Sequence, residues 1–273
     1  MIIAQITDAH VRAERRIAYG KVNTSEMLET VVAHVNGLHP MVDISIVTGD
    51  LTDRGKAEDY DTVRSILENL NMPWYVVPGN HDNLSNFLQA FSDHEYLVES
   101  SNFANYCIEG YPLRLIGLDT SIAGKSHGIL NSDALNWLDA TLRVEPIKPT
   151  MLFMHHPPFK TGIRHMDVQN LLNAEKLFNL LSNHTQVCHI ACGHVHRASE
   201  TCINGIGVSI APNGAHSSTF DLDPNGPSSF TMDPPAVRVF RFSKDSQLVS
   251  HLSYIGDLDG PYPYFTPDGK LVD

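Results

Sequence analysis

The sequence predicts an α/β protein, and three observations carry that prediction. Apolar runs of strand length alternate with stretches whose apolar residues recur at helical spacing, the pattern of strands and helices sharing one core. Several of the short apolar runs are followed at once by Asp, Asn or His, and ligands gather beyond strand ends in open α/β sheets. At 273 residues and 42% hydrophobic content, the chain can bury a substantial core without disulfides or a structural metal.

Residues 1–6 read as the first strand, and residues 24–38 as an amphipathic helix entered through Thr24 or Ser25, whose hydroxyls suit an N-cap. A strand over 43–47 follows. Residues 57–70 place Tyr60, Val63, Ile66, Leu67 and Leu70 at helical spacing, before a short strand at Trp74–Val77. A helix over 132–142 presents Leu135, Leu138 and Leu142 on one face, and strands are expected at 151–154 and 187–191. Past Glu200 two strand-like pieces, 207–211 and 237–242, enclose a Pro/Gly/Ser/Asp-rich stretch over 212–235. A loop of that length is expected as a cap, an oligomer contact or a surface excursion. The chain therefore divides into a main core over 1–211, this loop over 212–235, and a segment over 236–273 that completes the core with strands and ends in a tail.

Thirty-one acidic against nineteen basic side chains give a formal charge of −12, with no Lys/Arg run. Nucleic-acid binding needs clustered basic groups, so no nucleic-acid partner is expected. The apolar stretches are too short to span a bilayer, and residues 1–11 carry no basic leader, so neither a membrane nor export is expected. Four cysteines without a CxxC pair suit a reducing cytoplasm. Fifteen histidines are the more telling count, because imidazole is the commonest metal ligand among side chains.

Five segments share one setting, each directly after an apolar strand: Asp8-Ala9-His10, Gly49-Asp50, Gly79-Asn80-His81-Asp82, His155-His156-Pro157 and Gly193-His194-Val195-His196. Asp8/His10 and His194/His196 are two residues apart, which in extended chain turns both side chains to one side. Glycine before Asp50, Asn80 and His194 permits a sharp turn with positive φ at a strand tip. One such segment is weak evidence, but five in order point to a shared metal site.

Those motifs, DxH, GD, GNHD, H and GHxH in order, resemble the calcineurin-like metallophosphoesterase superfamily. Tyr19-Gly20, residues 119–142 and 154–158 are similar to its bacterial glycerophosphodiesterase and class III cyclic-nucleotide phosphodiesterase subgroup. The resemblance implies a sandwich of two mixed β-sheets flanked by helices. It implies two divalent ions (Fe, Mn, Zn or Co), one held by Asp8, His10 and His196, the other by Asn80, His155 and His194, with Asp50 between them. Carboxylate and imidazole suit such ions, and Asn80 offers only a neutral oxygen, so the second site is expected to bind more weakly.

The implied reaction is hydrolysis of a small phosphodiester by in-line attack of a hydroxide held between the metals. Two divalent ions less two carboxylates and one hydroxide leave a centre of about +1, matched to a singly charged diester. Asp50 and His81 are the catalytic candidates, His81 to stabilise phosphoryl oxygens or protonate the leaving alkoxide. Asp82 is read as orienting His81 or a ligand. Asn80, His81, His156, His216 and Tyr19 are the substrate-binding candidates, and Arg12 is expected in a surface ion pair. The competing readings are a phosphomonoesterase or nuclease on the same centre, and an inactive scaffold module of this fold. A homo-oligomer is expected.

Overall fold

The computed structural model describes residues 1–97 and 103–272. Residues 98–102 of the expected core and Asp273 of the expected tail lie outside the described residues. Strands and helices follow in the order β1 (Ile2–Ile6), α1 (Thr24–Asn36), β2 (Ile44–Thr48), α2 (Ala57–Leu67), β3 (Trp74–Val77), α3 (Leu84–Ala90), β4 (Tyr106–Ile108), β5 (Arg114–Leu118) and α4 (Ser132–Val144). The chain continues through β6 (Thr150–Met154), α5 (Arg164–Asp167), α6 (Ala174–Leu181), β7 (Val187–Cys192), β8 (Ser199–Ile203), β9 (Ile206–Ile210), β10 (Ser217–Ser218), β11 (Phe230–Thr231), β12 (Ala236–Phe242) and β13 (Leu248–Tyr254).

The two large sheets are both mixed, as the resemblance implies. One runs β13-β12-β1-β2-β3, with β1, β2 and β3 parallel; the other runs β4-β5-β6-β7-β9-β8, with β5, β6, β7 and β9 parallel. Side chains alternate across each strand, so β6 sends Met151 and Phe153 into the core shared by the two sheets, and Leu152 and Met154 toward α4 and α6. That two-sided burial explains why β6 reads as an apolar run over Met151–Met154, and why β2 is buried along its whole length. Hydrogen bonds tie the layers together: Gln5 of β1 donates to the Cys192 carbonyl of β7 at 2.8 Å, and Tyr106 of β4 donates to the Val76 carbonyl of β3 at 2.6 Å.

Several boundaries differ from expectation for local reasons. Asn23, rather than Thr24 or Ser25, caps α1, accepting from the Glu26 amide at 3.4 Å. The Thr24 hydroxyl is already spent on the His10 carbonyl at 2.9 Å. Residues 212–235 are not simply a loop, since β10 and β11 pair within them as a small antiparallel hairpin. In the C-terminal segment, β12 completes the first sheet beside β1, and β13 forms its edge.

Candidate metal centre

The C-terminal ends of β1, β2, β3, β6 and β7 open onto one rim, and the five motifs sit there. The backbone delivering them is more contorted than expected. Asp8, His10, Asp50, His194 and His196 all hold φ between 45° and 74°, so the paired ligands converge through left-handed backbone and not through strand alternation. Such non-glycine conformations cost about 1–2 kcal/mol each. Hydrogen bonds across the rim help hold them, including Asp8 N–H to the Gly49 carbonyl at 3.1 Å and His10 N–H to the Asp50 carbonyl at 2.9 Å.

The glycines divide into two kinds. Gly49 has φ +86°, as anticipated. Gly79 and Gly193 do not take positive φ and are needed instead for close approach. A Cβ at Gly79 would lie 2.2 Å from the Asp50 Oδ1, and one at Gly193 would lie 2.1 Å from the Thr7 Oγ1.

All seven expected ligands meet at this rim. His10 Nε2 lies 3.1 Å from His196 Nε2, and His196 Nε2 lies 3.3 Å from Asp8 Oδ1. Beside them, His155 Nε2 lies 3.0 Å from Asn80 Oδ1 and 3.2 Å from His194 Nδ1. Asp50 Oδ2 stands between the groups, 3.5 Å from His10 Nε2 and 3.4 Å from His155 Nε2. This is the grouping the resemblance implies, with one carboxylate oxygen common to both.

The donor set fits divalent ions. His155 Nδ1 faces the Thr48 carbonyl at 2.8 Å, an acceptor for its N–H, so Nε2 is the nitrogen turned to the Asn80 and Asp50 oxygens and becomes a ligand atom once its own proton is released. Oxygens and ring nitrogens converging in this way suit a divalent cation. His194 Nε2 is buried without a hydrogen-bond partner. Three-residue sets from Asp8, His10, Asp50, His155 and His196 bring one donor atom each within 4.8 Å of one another.

Charge and burial pull against each other here. Burial raises the Asp50 carboxyl, but His155 and His81 outweigh it and hold it well below the usual range. Burial likewise lowers His155, and the Asp50 carboxylate overcomes it, raising that ring to about 9. His194 is pushed down to about 3 by burial and by His155. For His81, burial is again outweighed by the Asp50 carboxylate, and its pKa is raised.

Neighbouring side chains fix the ligands in place. Asp82 accepts from the amides of Leu51, Thr52 and Gly79 at 3.1, 3.2 and 2.9 Å and from the Tyr60 hydroxyl at 2.9 Å. It thereby clamps the turn after Asp50 to the turn before Asn80, without bonding His81. Two contributors were not anticipated from sequence. Asn213 donates to the Asp8 carbonyl at 2.8 Å and lies 3.1 Å from His196 Nδ1. Asp53 takes Arg12 at 2.7 Å, stands 3.6 Å from His10 Nδ1, and offers its backbone carbonyl to His81 Nδ1 at 3.0 Å. Arg12 is therefore tied into the site, and not in a surface pair. The signal for Asp53 was its place three residues after Asp50, close enough to share that turn.

The centre forms the floor of a cleft of about 360 Å³, lined by His10, Asp50, Asn80, His81, His194 and His196 below and by Tyr19, His216 and the β10–β11 hairpin at one side. His216 stands 4.6 Å from the His196 ring, and Tyr19 stands 5.3 Å from His216 and 5.7 Å from Phe230, ring centre to ring centre. Both are thus at the wall of the cleft. His156 is not, which corrects the expectation for it: its ring is buried, with Nδ1 on the Thr120 hydroxyl at 2.7 Å and Nε2 on the Ser126 carbonyl at 3.3 Å. It packs against His155 and His194 as a supporting ring.

With that geometry in hand, comparison with known proteins decides the family. A family model described as calcineurin-like phosphoesterase matches residues 1–198. The chain belongs to the calcineurin-like phosphoesterase family. Among curated relatives of this phosphoesterase, a probable glycerophosphodiester phosphodiesterase of Arcobacter nitrofigilis is 42% identical over 274 residues, covering 100% of both chains. A 3',5'-cyclic adenosine monophosphate phosphodiesterase of Escherichia coli K12 is 28% identical over 236 residues, covering 85% of this chain and 84% of its own. A dimetal phosphatase from Danio rerio shares the fold at a TM-score of 0.65 and 15% identity, over 94% of this chain and 96% of that one.

Proposed function

We propose that this phosphoesterase hydrolyses small phosphodiesters, of the glycerophosphodiester or 3',5'-cyclic nucleotide kind, at a centre of two divalent ions. The observation that carries the choice of a diester is the lining of the cleft: among the described residues it includes no Lys or Arg. A monoester, with nearly two charges, would need cationic help beyond the metals, whereas a singly charged diester is matched by the centre itself. The relatives named as glycerophosphodiester and cyclic-nucleotide phosphodiesterases support the same class.

Asp8, His10 and His196 would hold one ion, and Asn80, His155 and His194 the other, with Asp50 shared. When bound, the ions supply Lewis acidity and acidify water near neutral pH. The chain contributes position and protons. The Asp50 carboxylate keeps the ring nitrogens of His10 and His155 turned to the rim. His81, anchored through Nδ1 on the Asp53 carbonyl, lines the cleft beside Asp50. It is the group placed to stabilise phosphoryl oxygens or to protonate the leaving alkoxide.

The same proposal includes Fe, Mn, Zn or Co as the metal, a cytoplasmic setting supported by four unpaired cysteines, a homo-oligomer, and residues 212–235 as the cap whose hairpin walls the cleft. Turnover of bis- and mono-(4-nitrophenyl) phosphate by one metal-loaded preparation tests the substrate class. Strong preference for the monoester would overturn it. Sedimentation velocity tests the oligomer, and a single monomeric species would remove that part.

A further inference from the structure

The cleft has two walls that the metal motifs do not explain. One is α5 with the turn after it, where His165, Met166 and Gln169 face the cleft; the other is the β10–β11 hairpin, with Ser218, Ser228, Ser229 and Phe230. The first wall is fixed by its own bonds. Asp167 accepts from the Thr161 amide and hydroxyl at 2.7 and 2.9 Å and from the Gly162 amide at 2.9 Å, and Asn170 donates to the Phe159 carbonyl at 2.6 Å. The walls approach each other at Gly162, where an added Cβ would lie 3.1 Å from Leu222.

What these walls offer is unspent hydrogen bonding. The Gln169 amide nitrogen donates to the His165 carbonyl at 2.6 Å, which leaves its oxygen as an acceptor. Among the described residues, the His165 ring and the Ser218 and Ser228 hydroxyls make no hydrogen bond to protein. Met166 and Phe230 add apolar surface beside them. A ligand that complements such walls carries several neutral donors and acceptors on a short carbon skeleton.

We propose that His165, Gln169, Ser218 and Ser228 are specificity-determining residues that bind the free hydroxyls of a polyhydroxy alcohol esterified to the phosphate. The inference rests on the diesterase reading above and names the part of the substrate that the metals do not touch. A flat nucleobase is served less well. Tyr19, His216 and Phe230 meet one another at interplanar angles of 47° to 74°, tilted or edge against face, and form no parallel pair to enclose a base.

The test uses matched esters with one leaving group: 2,3-dihydroxypropyl and propyl 4-nitrophenyl phosphate, with thymidine 5'-(4-nitrophenyl) phosphate as the nucleoside arm. The metal-loaded wild type should favour the dihydroxypropyl ester about tenfold in kcat/KM, mainly through KM. In H165A/Q169A and in S218A/S228A that ratio should fall toward one. A wild type without the preference, or one favouring the nucleoside ester, overturns the proposal, as does a ratio that survives in both variants. Calorimetric binding of glycerol 3-phosphate against propyl phosphate gives a readout independent of turnover. If no diester is cleaved, the diesterase reading fails, and the binding ratio still decides whether the walls read hydroxyls.

Discussion

The floor and the walls of the cleft are built on opposite terms. The floor draws seven polar side chains from the ends of five strands in two sheets, holds five residues in left-handed backbone, and buries charged groups among rings that meet edge-on or tilted. The walls are a four-residue helix and a pair of two-residue strands, whose side chains are mostly half-buried or exposed. On the proposed reading each floor side chain would answer to the charge and geometry of an ion, and its neighbours are bonded to keep it in place. A wall that meets a neutral alcohol needs only shape and a few hydrogen bonds. Floor changes should therefore reduce turnover of every ester alike, while wall changes should alter which ester is preferred.

The sharpest test of the floor is Asp50. Its Oδ2 stands between both ligand groups, and its Oδ1 accepts the His81 amide at 2.8 Å. Asp50→Ala should lower kcat on any diester by on the order of 10³-fold or more, with loss of bound metal by elemental analysis and retention of secondary structure. Activity within tenfold of wild type would break the shared-ligand assignment.

Asp82 comes next, because it touches the floor only through backbone and hydroxyls. Asp82→Ala leaves buried amides of Leu51, Thr52 and Gly79 without their acceptor. The expected losses are about 10- to 100-fold in metal affinity or activity and roughly 2–4 kcal/mol in stability. Asp82→Asn, which keeps one acceptor oxygen, should recover part of both. Equal damage from the two substitutions would show that the charge of Asp82, more than its hydrogen bonds, is what the floor needs.

The metal-free floor should also carry a distinctive pH dependence. His155 is raised from 6.5 to about 9, so its pairing with Asp50 stabilises the fold fully below pH 6.5 and ceases to do so as pH rises through 9. The thermal midpoint of metal-stripped protein should thus fall between pH 6.5 and 9. Metal affinity should climb over the same window, because the ligand must release that proton to bind. A flat midpoint in the stripped protein would remove the Asp50–His155 coupling from the account.

The same contrast explains what the sequence revealed. That these seven side chains would meet at one rim was legible because Asp, Asn and His recur directly after strand-length apolar runs, the types that ion chemistry favours. Asp53 and Asn213 were not, since a carboxylate or amide that supports a ligand looks like any polar loop residue until the fold brings it near. His156, expected at the substrate, misled for the converse reason: an imidazole beside His155 suits a cleft residue, yet the Thr120 hydroxyl and Ser126 carbonyl occupy both ring nitrogens. Strand β5 went unread because Gly117 interrupts its apolar run, a glycine held there by the Tyr106 and Phe153 rings, which a Cβ would approach to 2.8 and 3.0 Å. The β10–β11 hairpin has strands too short to show any period.

The mildest change belongs to the wall. Phe230 is half-buried and meets Tyr19 and His216 at 5.7 and 5.3 Å, without touching a metal ligand. Truncating it to Ala removes apolar surface from one side of the alcohol and leaves the floor bonded as before. Stability should drop by only about 1 kcal/mol, well short of a fully buried aromatic. KM should rise about threefold with kcat nearly constant, since contacts made equally in the bound and transition states act on KM alone. Should kcat instead fall as far as in Asp82→Ala, the hairpin would be positioning the reacting groups, and the division between floor and wall would have to be redrawn at His216.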